Sequence, residues 1–302
     1  MPEEVKPKLL RYSHSKLKNQ ATCPARNYFS TLAYEGKIET DPAYAMVFGS
    51  AAHKGIEERL LHGKDAEKEA YFYVQEELID KFPGNKLRAE TIEKKWDLVK
   101  KCLANFEERY YRDIMTQFSV DGADIASSVE LKLEVPFRQG ILTGVVDLIM
   151  PNGVFIDWKT GSRVPSDDTL IRDPQAGIYY YLAKQLNMRP PTTFEYVYLV
   201  GKNVARKRND EGQDIADRAN PKHLYSFQVR QDDAKITRLM AEYVNPLAEQ
   251  LERGVLYKNP SDTNCAGCQF KTACWQTELP SAKEAREALV LDIISGITEE
   301  EE

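Results

Sequence analysis

Residues 141–161, ILTGVVDLIMPNGVFIDWKTG, constrain this chain more than any other stretch. Two runs of alternating character flank a Pro-Asn-Gly turn, the pattern of two strands joined as a hairpin. A two-residue Asn-Gly turn would pair positions summing to 305 and set Asp147 against Trp158. A three-residue loop suits the sequence better. Pro151 and Asn152 then fill the two central type I positions, and Gly153 takes the left-handed position of a G1 bulge. Pairs now sum to 304, and Asp147 lies opposite Asp157. Lys159, two residues on, shares their face. The other face, Leu142, Val146, Leu148, Val154, Ile156 and Trp158, reads as a core face.

Directly opposed like charges destabilise a hairpin. Cβ atoms roughly 5 Å apart are also placed to share one hard cation. Such a cation would relieve the repulsion, polarise a phosphate and make a bound water more acidic. Lys159 is placed to hold the attacking water or a phosphate oxygen. The alternative is a solvated face on which the acids pair with lysines.

Around this hairpin the pattern changes once. Residues 14–34 hold a short helix and then CPARNYF, and 48–62 and 64–118 read as helical, with a break at Pro83-Gly84. From 127 onward alternating runs predict strands, SSVELKLEVPF and then the hairpin, followed by a helix over 173–187. TFEYVYLVG and LYSFQV predict two more strands, and 231–253 a long helix. Ser281 with Glu284 forms a capping box for a last helix. The expected fold is α/β, a central mixed sheet flanked by helices, with a helical insertion and a cysteine-clipped end. The boundaries expected are one domain over 1–282, with the insertion at about 64–120, the core at about 127–230 and the final helix and cysteines at about 231–278. Residues 283–302 are expected to be an acidic helix and a disordered tail.

Net charge is −6, which argues against a general polyanion binder. Residues 283–302 alone carry −5, so the remaining 282 carry −1. Local basic tracks therefore matter more than the total. Lys202, Arg206, Lys207 and Arg208 form one after the TFEYVYLVG strand. Arg26 and Tyr28 in CPARNYF offer a cation beside an aromatic face. Such groups suit single-stranded DNA or frayed DNA ends. A solvated loop with buried tyrosines is the competing reading. No run of eighteen apolar residues offers a membrane span. MPEEVKPKLL lacks the apolar core of a secretory signal, so a cytoplasmic location is expected.

Five cysteines occur, Cys23, Cys102, Cys265, Cys268 and Cys274. The last three have C-x2-C-x5-C spacing in a polar loop. Clustered cysteines in an intracellular chain point to metal rather than disulfides. Cys23 is the candidate fourth ligand, and Cys102, in a helical apolar pattern, reads as core. Four thiolates can hold zinc or an iron–sulfur cluster, and spacing alone favours neither.

GVVD at 144–147 and IDWKTG at 156–161, with QAGIYYY at 175–181, GSAAH at 49–53 and CPARNYF at 23–29, resemble the PD-(D/E)XK nuclease superfamily, and within it the RecB-like exonucleases. The ordered set spans residues from about 12 to about 276. The resemblance implies that His53, Asp147 and Asp157, with the Trp158 backbone carbonyl, hold Mg²⁺ or Mn²⁺. It implies that Lys159 assists water attack and that Gln175 and Tyr179 lie near the active site and DNA. Glu130 falls where the family often has a strand acid. Glu57, one turn from His53, would orient that ring or only face solvent. The resemblance also favours a [4Fe–4S] cluster on Cys23, Cys265, Cys268 and Cys274 over zinc, acting as a structural staple.

The expected function is a metal-dependent DNA exonuclease, with 5′-to-3′ action on single strands favoured by the family analogy. Its pathway would be recombination, repair or CRISPR adaptation. A helicase does not fit in 302 residues, so a stand-alone or trans-acting nuclease is expected, phage-encoded or CRISPR-associated in size, with a recombination or CRISPR-adaptation protein as partner. The alternatives are a non-catalytic DNA-binding scaffold and a restriction-type endonuclease.

Overall fold

The computed structural model describes residues 9–40, 44–80, 89–160, 164–191, 193–199 and 224–290. The basic loop with Lys202, Arg206, Lys207 and Arg208, the Pro83-Gly84 break and the acidic stretch after 290 lie outside the described residues.

The chain opens with strand β1 (Leu10–Ser13), then helices α1 (His14–Thr22), α2 (Ala25–Tyr34) and α3 (Tyr44–His62). The insertion holds α4 (Ala66–Val74), which continues as a π-helical stretch over Gln75–Asp80. It also holds α5 (Ala89–Phe106) and α6 (Arg112–Asp121), joined by π-helical turns over Glu107–Tyr111. Next come β2 (Val129–Phe137), β3 (Gly140–Ile149), β4 (Phe155–Lys159), α7 (Asp167–Ile171) and α8 (Pro174–Gln185). Strands β5 (Thr193–Leu199) and β6 (Leu224–Arg230) follow. A long helix is built from α9 (Asp233–Leu239), π-helical Met240–Val244 and α10 (Asn245–Glu252). Short α11 (Asp262–Cys265), α12 (Lys271–Gln276) and the last helix α13 (Ala282–Val290) complete the described chain.

The helix starts follow local chemistry. Ser13, Asp65, Ser166, Asp173 and Asp232 each accept a hydrogen bond from a first-turn amide, and Pro174 occupies the first turn of α8. The capping box forms as expected: Glu284 Oε2 accepts from the Ser281 amide at 2.9 Å, and Ser281 Oγ from the Glu284 amide at 3.4 Å.

The six strands form one mixed sheet in the order β1-β3-β4-β5-β6, with β2 also on β3. Strand β2 runs antiparallel to β3 and pairs along Gly140–Leu148. Strand β1 runs parallel to β3 and takes Gly140–Thr143, while β4 takes only Leu148 and Ile149. A strand has two edges, and β2 fills one of them. So β1 and β4 share the other edge, and the sheet forks between Thr143 and Leu148. Helices α1, α8, α9 and α10 cover one face, around Leu142, Val146, Phe194 and Tyr196. Helices α3, α4, α5 and α6 cover the other, around Leu148, Trp158, Phe106 and Val197.

One expectation needs correction, and one alternative falls away. The six residues read as one core face divide between both cores. Leu142 and Val146 enter the first, whereas Leu148, Ile156 and Trp158 enter the second. Val129 and Leu131 on β2 divide in the same way. On β2 the exchange coincides with Glu130, whose φ of +48° breaks the two-residue alternation. The acid face is also no solvated face, since Asp147 and Asp157 are 8% and 4% exposed. The last helix is docked as well, with Ala285 and Leu289 fully buried.

Candidate active site at the fork

The hairpin turn adopts the expected form. Gly153 has φ +85°, its amide reaches the Met150 carbonyl at 2.8 Å, and the Met150 amide reaches the Val154 carbonyl at 2.9 Å. The register sums to 304, with Leu148 opposite Ile156 and Ile149 opposite Phe155. Beyond these pairs the ladder stops. The Trp158 amide donates instead to Asp147 Oδ2 at 2.7 Å, so the side chain of Asp147 bridges the opening strands.

Three carboxylate or imidazole groups meet there. One ligand atom each of His53, Glu130 and Asp147 lies within 4.8 Å of the other two. His53 comes from α3, where Ala51 and Ala52 are fully buried and let the helix lie close to the sheet. Its Nδ1 is 3.5 Å from Asp147 Oδ2. Burial works against a charged ring, but Asp147, Asp157 and Glu130 together outweigh it and raise His53 to about 9. Glu130 is pushed up to about 7, first by burial and then by Asp147. Carboxylates gathered beside a half-buried imidazole, with Glu130 raised mainly by burial, form a donor set suited to a hard divalent cation. Glu57 accepts from Lys54 Nζ at 3.0 Å and lines the same cleft as His53.

Asp157 and Lys159 form the second half of the site. Lys159 Nζ lies 2.6 Å from Asp157 Oδ2 and 3.0 Å from Gln175 Oε1. Gln175 Nε2 donates to Asp157 Oδ1 at 2.5 Å and to the Tyr179 hydroxyl at 3.3 Å. Tyr179 in turn donates to the Val145 carbonyl at 2.6 Å. Val145 lies in the stretch of β3 where the shared edge has no strand partner, so Tyr179 satisfies backbone left open by the fork. Burial raises Asp157 to about 6, with Lys159 opposing and Asp147 adding. Lys159 is itself raised: burial opposes its charge, and Asp157, with Asp147 and Asp173, more than restores it. Asp173 caps α8 at the Gln175 amide, 2.9 Å away, and faces His14 Nε2 at 3.4 Å.

The structure thus brings His53, Asp147, Asp157, Lys159, Gln175, Tyr179 and the Trp158 backbone to one fork. It adds Glu130 as a full member of the cluster, which spacing could not reveal because its backbone departs from the strand pattern. The His14–Asp173 pair also went unread, since its partners lie far apart in sequence.

The cysteines gather elsewhere. Cys23, Cys265, Cys268 and Cys274 line one cavity of about 50 Å³, walled by Phe29 and Phe270. All are free thiols. Burial raises the Cys274 thiol; Lys258 opposes, and the other three cysteines add. Cys102 is fully buried in the second core, as its pattern suggested. Arg26 and Tyr28 belong to this cysteine region. Arg26 donates to the Asn264 carbonyl and lines the cavity, and Tyr28 packs beside Phe29 with ring centroids 5.7 Å apart.

Among solved structures, the chain is similar to a candidate exonuclease from Eubacterium rectale, at TM-score 0.50 and 12% identity over 92% of each chain. It also aligns with SSO0001, at 11% identity over 82% of this chain and 93% of that one, but the TM-score of 0.32 carries no argument. No curated protein sequence matches. The family model for the PD-(D/E)XK nuclease superfamily matches residues 11–275. With a forked mixed sheet, paired aspartates on adjoining strands and a lysine two residues after the second, the chain belongs to the PD-(D/E)XK nuclease superfamily, a group of metal-dependent nucleases.

Proposed function

We propose that the chain is a DNA exonuclease that acts on single-stranded or frayed ends with one Mg²⁺ or Mn²⁺. His53, Glu130, Asp147 and Asp157, with the Trp158 carbonyl, would hold the ion. The observation that carries this reading is the His53–Glu130–Asp147 group within 4.8 Å, set beside an ion-paired lysine. The ion, when bound, supplies polarisation of a phosphate oxygen and a more acidic water. Lys159 is an ammonium here, so it acts as a donor to the phosphate or the attacking water rather than as a base. Asp157 and Gln175 hold that ammonium from two sides, and Tyr179 anchors Gln175 to the sheet. Preset geometry of this kind lowers the cost of ordering reactants.

The test is digestion of end-labelled linear single- and double-stranded DNA and of closed circles, with Mg²⁺, Mn²⁺ or EDTA. Metal-dependent loss of linear DNA alone is expected, and the position of the label reads polarity. Discrete cutting of circles would favour a restriction-type enzyme, and no digestion a binding scaffold. Asp157→Ala and Lys159→Ala should abolish cleavage while the fold remains.

The same proposal extends to a [4Fe–4S] cluster on Cys23, Cys265, Cys268 and Cys274. What supports this is that the four thiols line one cavity, with the family resemblance favouring iron–sulfur over zinc. The cysteines would then join the α1–α2 corner to α11 and α12 as a staple. Protein purified without oxygen should be brown and contain iron and sulfide; colourless, zinc-loaded protein would refute the cluster.

A further inference from the structure

The His53–Glu130 side of the fork opens into a cleft of about 320 Å³. That is near the lower end of the roughly 300–1,000 Å³ typical of small-molecule sites, a volume suited to one nucleotide. Helix α3 contributes His53, Lys54 and Glu57, and β2 contributes Glu130. The aromatic in its wall is Tyr73, from α4 in the insertion. Its two neighbours are engaged elsewhere: Tyr71 meets Trp96 edge-on at 5.4 Å, and Phe72 lies under Lys68 at 5.7 Å. Tyr73 itself is half-buried and packs on the second core. Helices α3 and α4 approach so closely that a Cβ on Gly55 would lie 2.4 Å from the Ala66 carbonyl oxygen. The ring therefore stands on a fixed support, in the same cleft as the candidate metal ligands His53 and Glu130.

An aromatic side chain beside candidate metal ligands has the chemistry of a base-stacking platform. Lys54 is tied to Glu57 and Glu58, each at 3.0 Å, so the rim offers little free charge for reading a base edge. Resting on the nuclease reading above, we propose that Tyr73 stacks on the nucleobase next to the scissile phosphate. It positions unpaired DNA without sequence preference. A base still inside a duplex cannot offer its face to this ring, so the contact also selects single-stranded ends.

The experiment compares wild type, Tyr73→Phe, Tyr73→Leu and Tyr73→Ala on a short single-stranded oligonucleotide. A second substrate is abasic at the nucleotide flanking the cut. Tyr73→Phe should match wild type. Tyr73→Leu and Tyr73→Ala should raise KM by about 5- to 150-fold, the range for stacking one base, with kcat changed less. The abasic substrate should cost wild type a similar factor and cost Tyr73→Ala nothing further, a coupling that a merely structural role would not produce. An unchanged KM in Tyr73→Ala, or an abasic penalty that persists in it, would overturn the proposal. Binding is read separately in EDTA through 2-aminopurine at the flanking position, quenched on wild type and not on Tyr73→Ala. If wild type cleaves nothing, the nuclease reading falls, and this quenching alone decides whether Tyr73 stacks a base.

Discussion

Gly144 sits on β3 beneath α8, and replacing it with alanine tests how the site is held. A Cβ there would lie 2.3 Å from Cε1 and 2.9 Å from Cδ1 of Tyr179, and 3.2 Å from Cδ1 of Leu182. Carbon atoms in contact prefer about 3.5–4.0 Å, so the ring must retreat by more than about 1 Å. It has little room to do so. Its hydroxyl is bonded to the Val145 carbonyl and to Gln175, and its face meets Phe194 at a centroid distance of 5.6 Å. Overpacking of this kind costs about 1–3 kcal/mol. Gln175 lies one turn earlier on the same helix, so lifting α8 draws it from Asp157 and Lys159. A misplacement of about 1 Å near a reacting centre can cost about 100-fold in rate. Urea denaturation and single-turnover cleavage measure the two effects. The decisive variant is Gly144→Ala combined with Tyr179→Ala. Removing the ring alone should cost about 3–5 kcal/mol as for other large aromatics, but the double variant should recover at least about 1 kcal/mol of the summed loss. Additivity within about 0.5 kcal/mol would refute a clash between these two residues.

Glu130→Gln should weaken Mn²⁺ binding by at least about tenfold, the scale of losses at metal-site supports, measured by titration calorimetry; unchanged affinity would remove Glu130 from the ligand set. Glu252 is buried at 7%, accepts the Tyr12 hydroxyl at 2.7 Å, and is gripped by Arg138 at 2.9 and 2.8 Å. Glu252→Ala should cost about 3 kcal/mol, the low end for breaking a buried pair, because the Arg138 side chain is 31% exposed and can regain water. Arg138 first, then Tyr12, holds the Glu252 carboxyl below its ordinary value despite burial. Its contribution is therefore full above the unfolded pKa near 4.3 and is lost as pH falls through the lower folded value. Wild type should lose more stability than Glu252→Gln between pH 5 and about 3, and equal slopes in acid denaturation would contradict this. Cys274→Ser should lower iron content and thermal stability together, while an unchanged iron content would exclude it as a ligand.

What the sequence discloses is what short-range chemistry decides. The Pro-Asn-Gly turn sets its own register, because Gly153 alone takes the left-handed position there. Ser281 and Glu284 cap their helix within four residues. Strand β1 stayed hidden. It is four residues long, and its parallel partner begins at Gly140, 130 positions away. The exchange of faces at Glu130 was hidden too, since no residue type announces a positive φ in a glutamate. Both hidden features bear directly on the site. Because β1 and β4 share one edge of β3, the backbone groups that face that edge between Thr143 and Leu148 have no strand to pair with there, although β2 pairs along the other edge. Buried backbone polar groups must be satisfied; here Asp147 meets the buried Trp158 amide, while Tyr179 meets the part-buried Val145 carbonyl. Two of the residues proposed to serve catalysis are thereby also required by the fold. Substituting Tyr179 or Asp147 removes a partner that the forked sheet needs, so lost activity in those variants reports on structure as well as chemistry. Lys159 carries no such backbone bond among those the structure shows, and its side chain is 32% exposed. Lys159→Ala is therefore the variant in which loss of cleavage separates most cleanly from loss of fold.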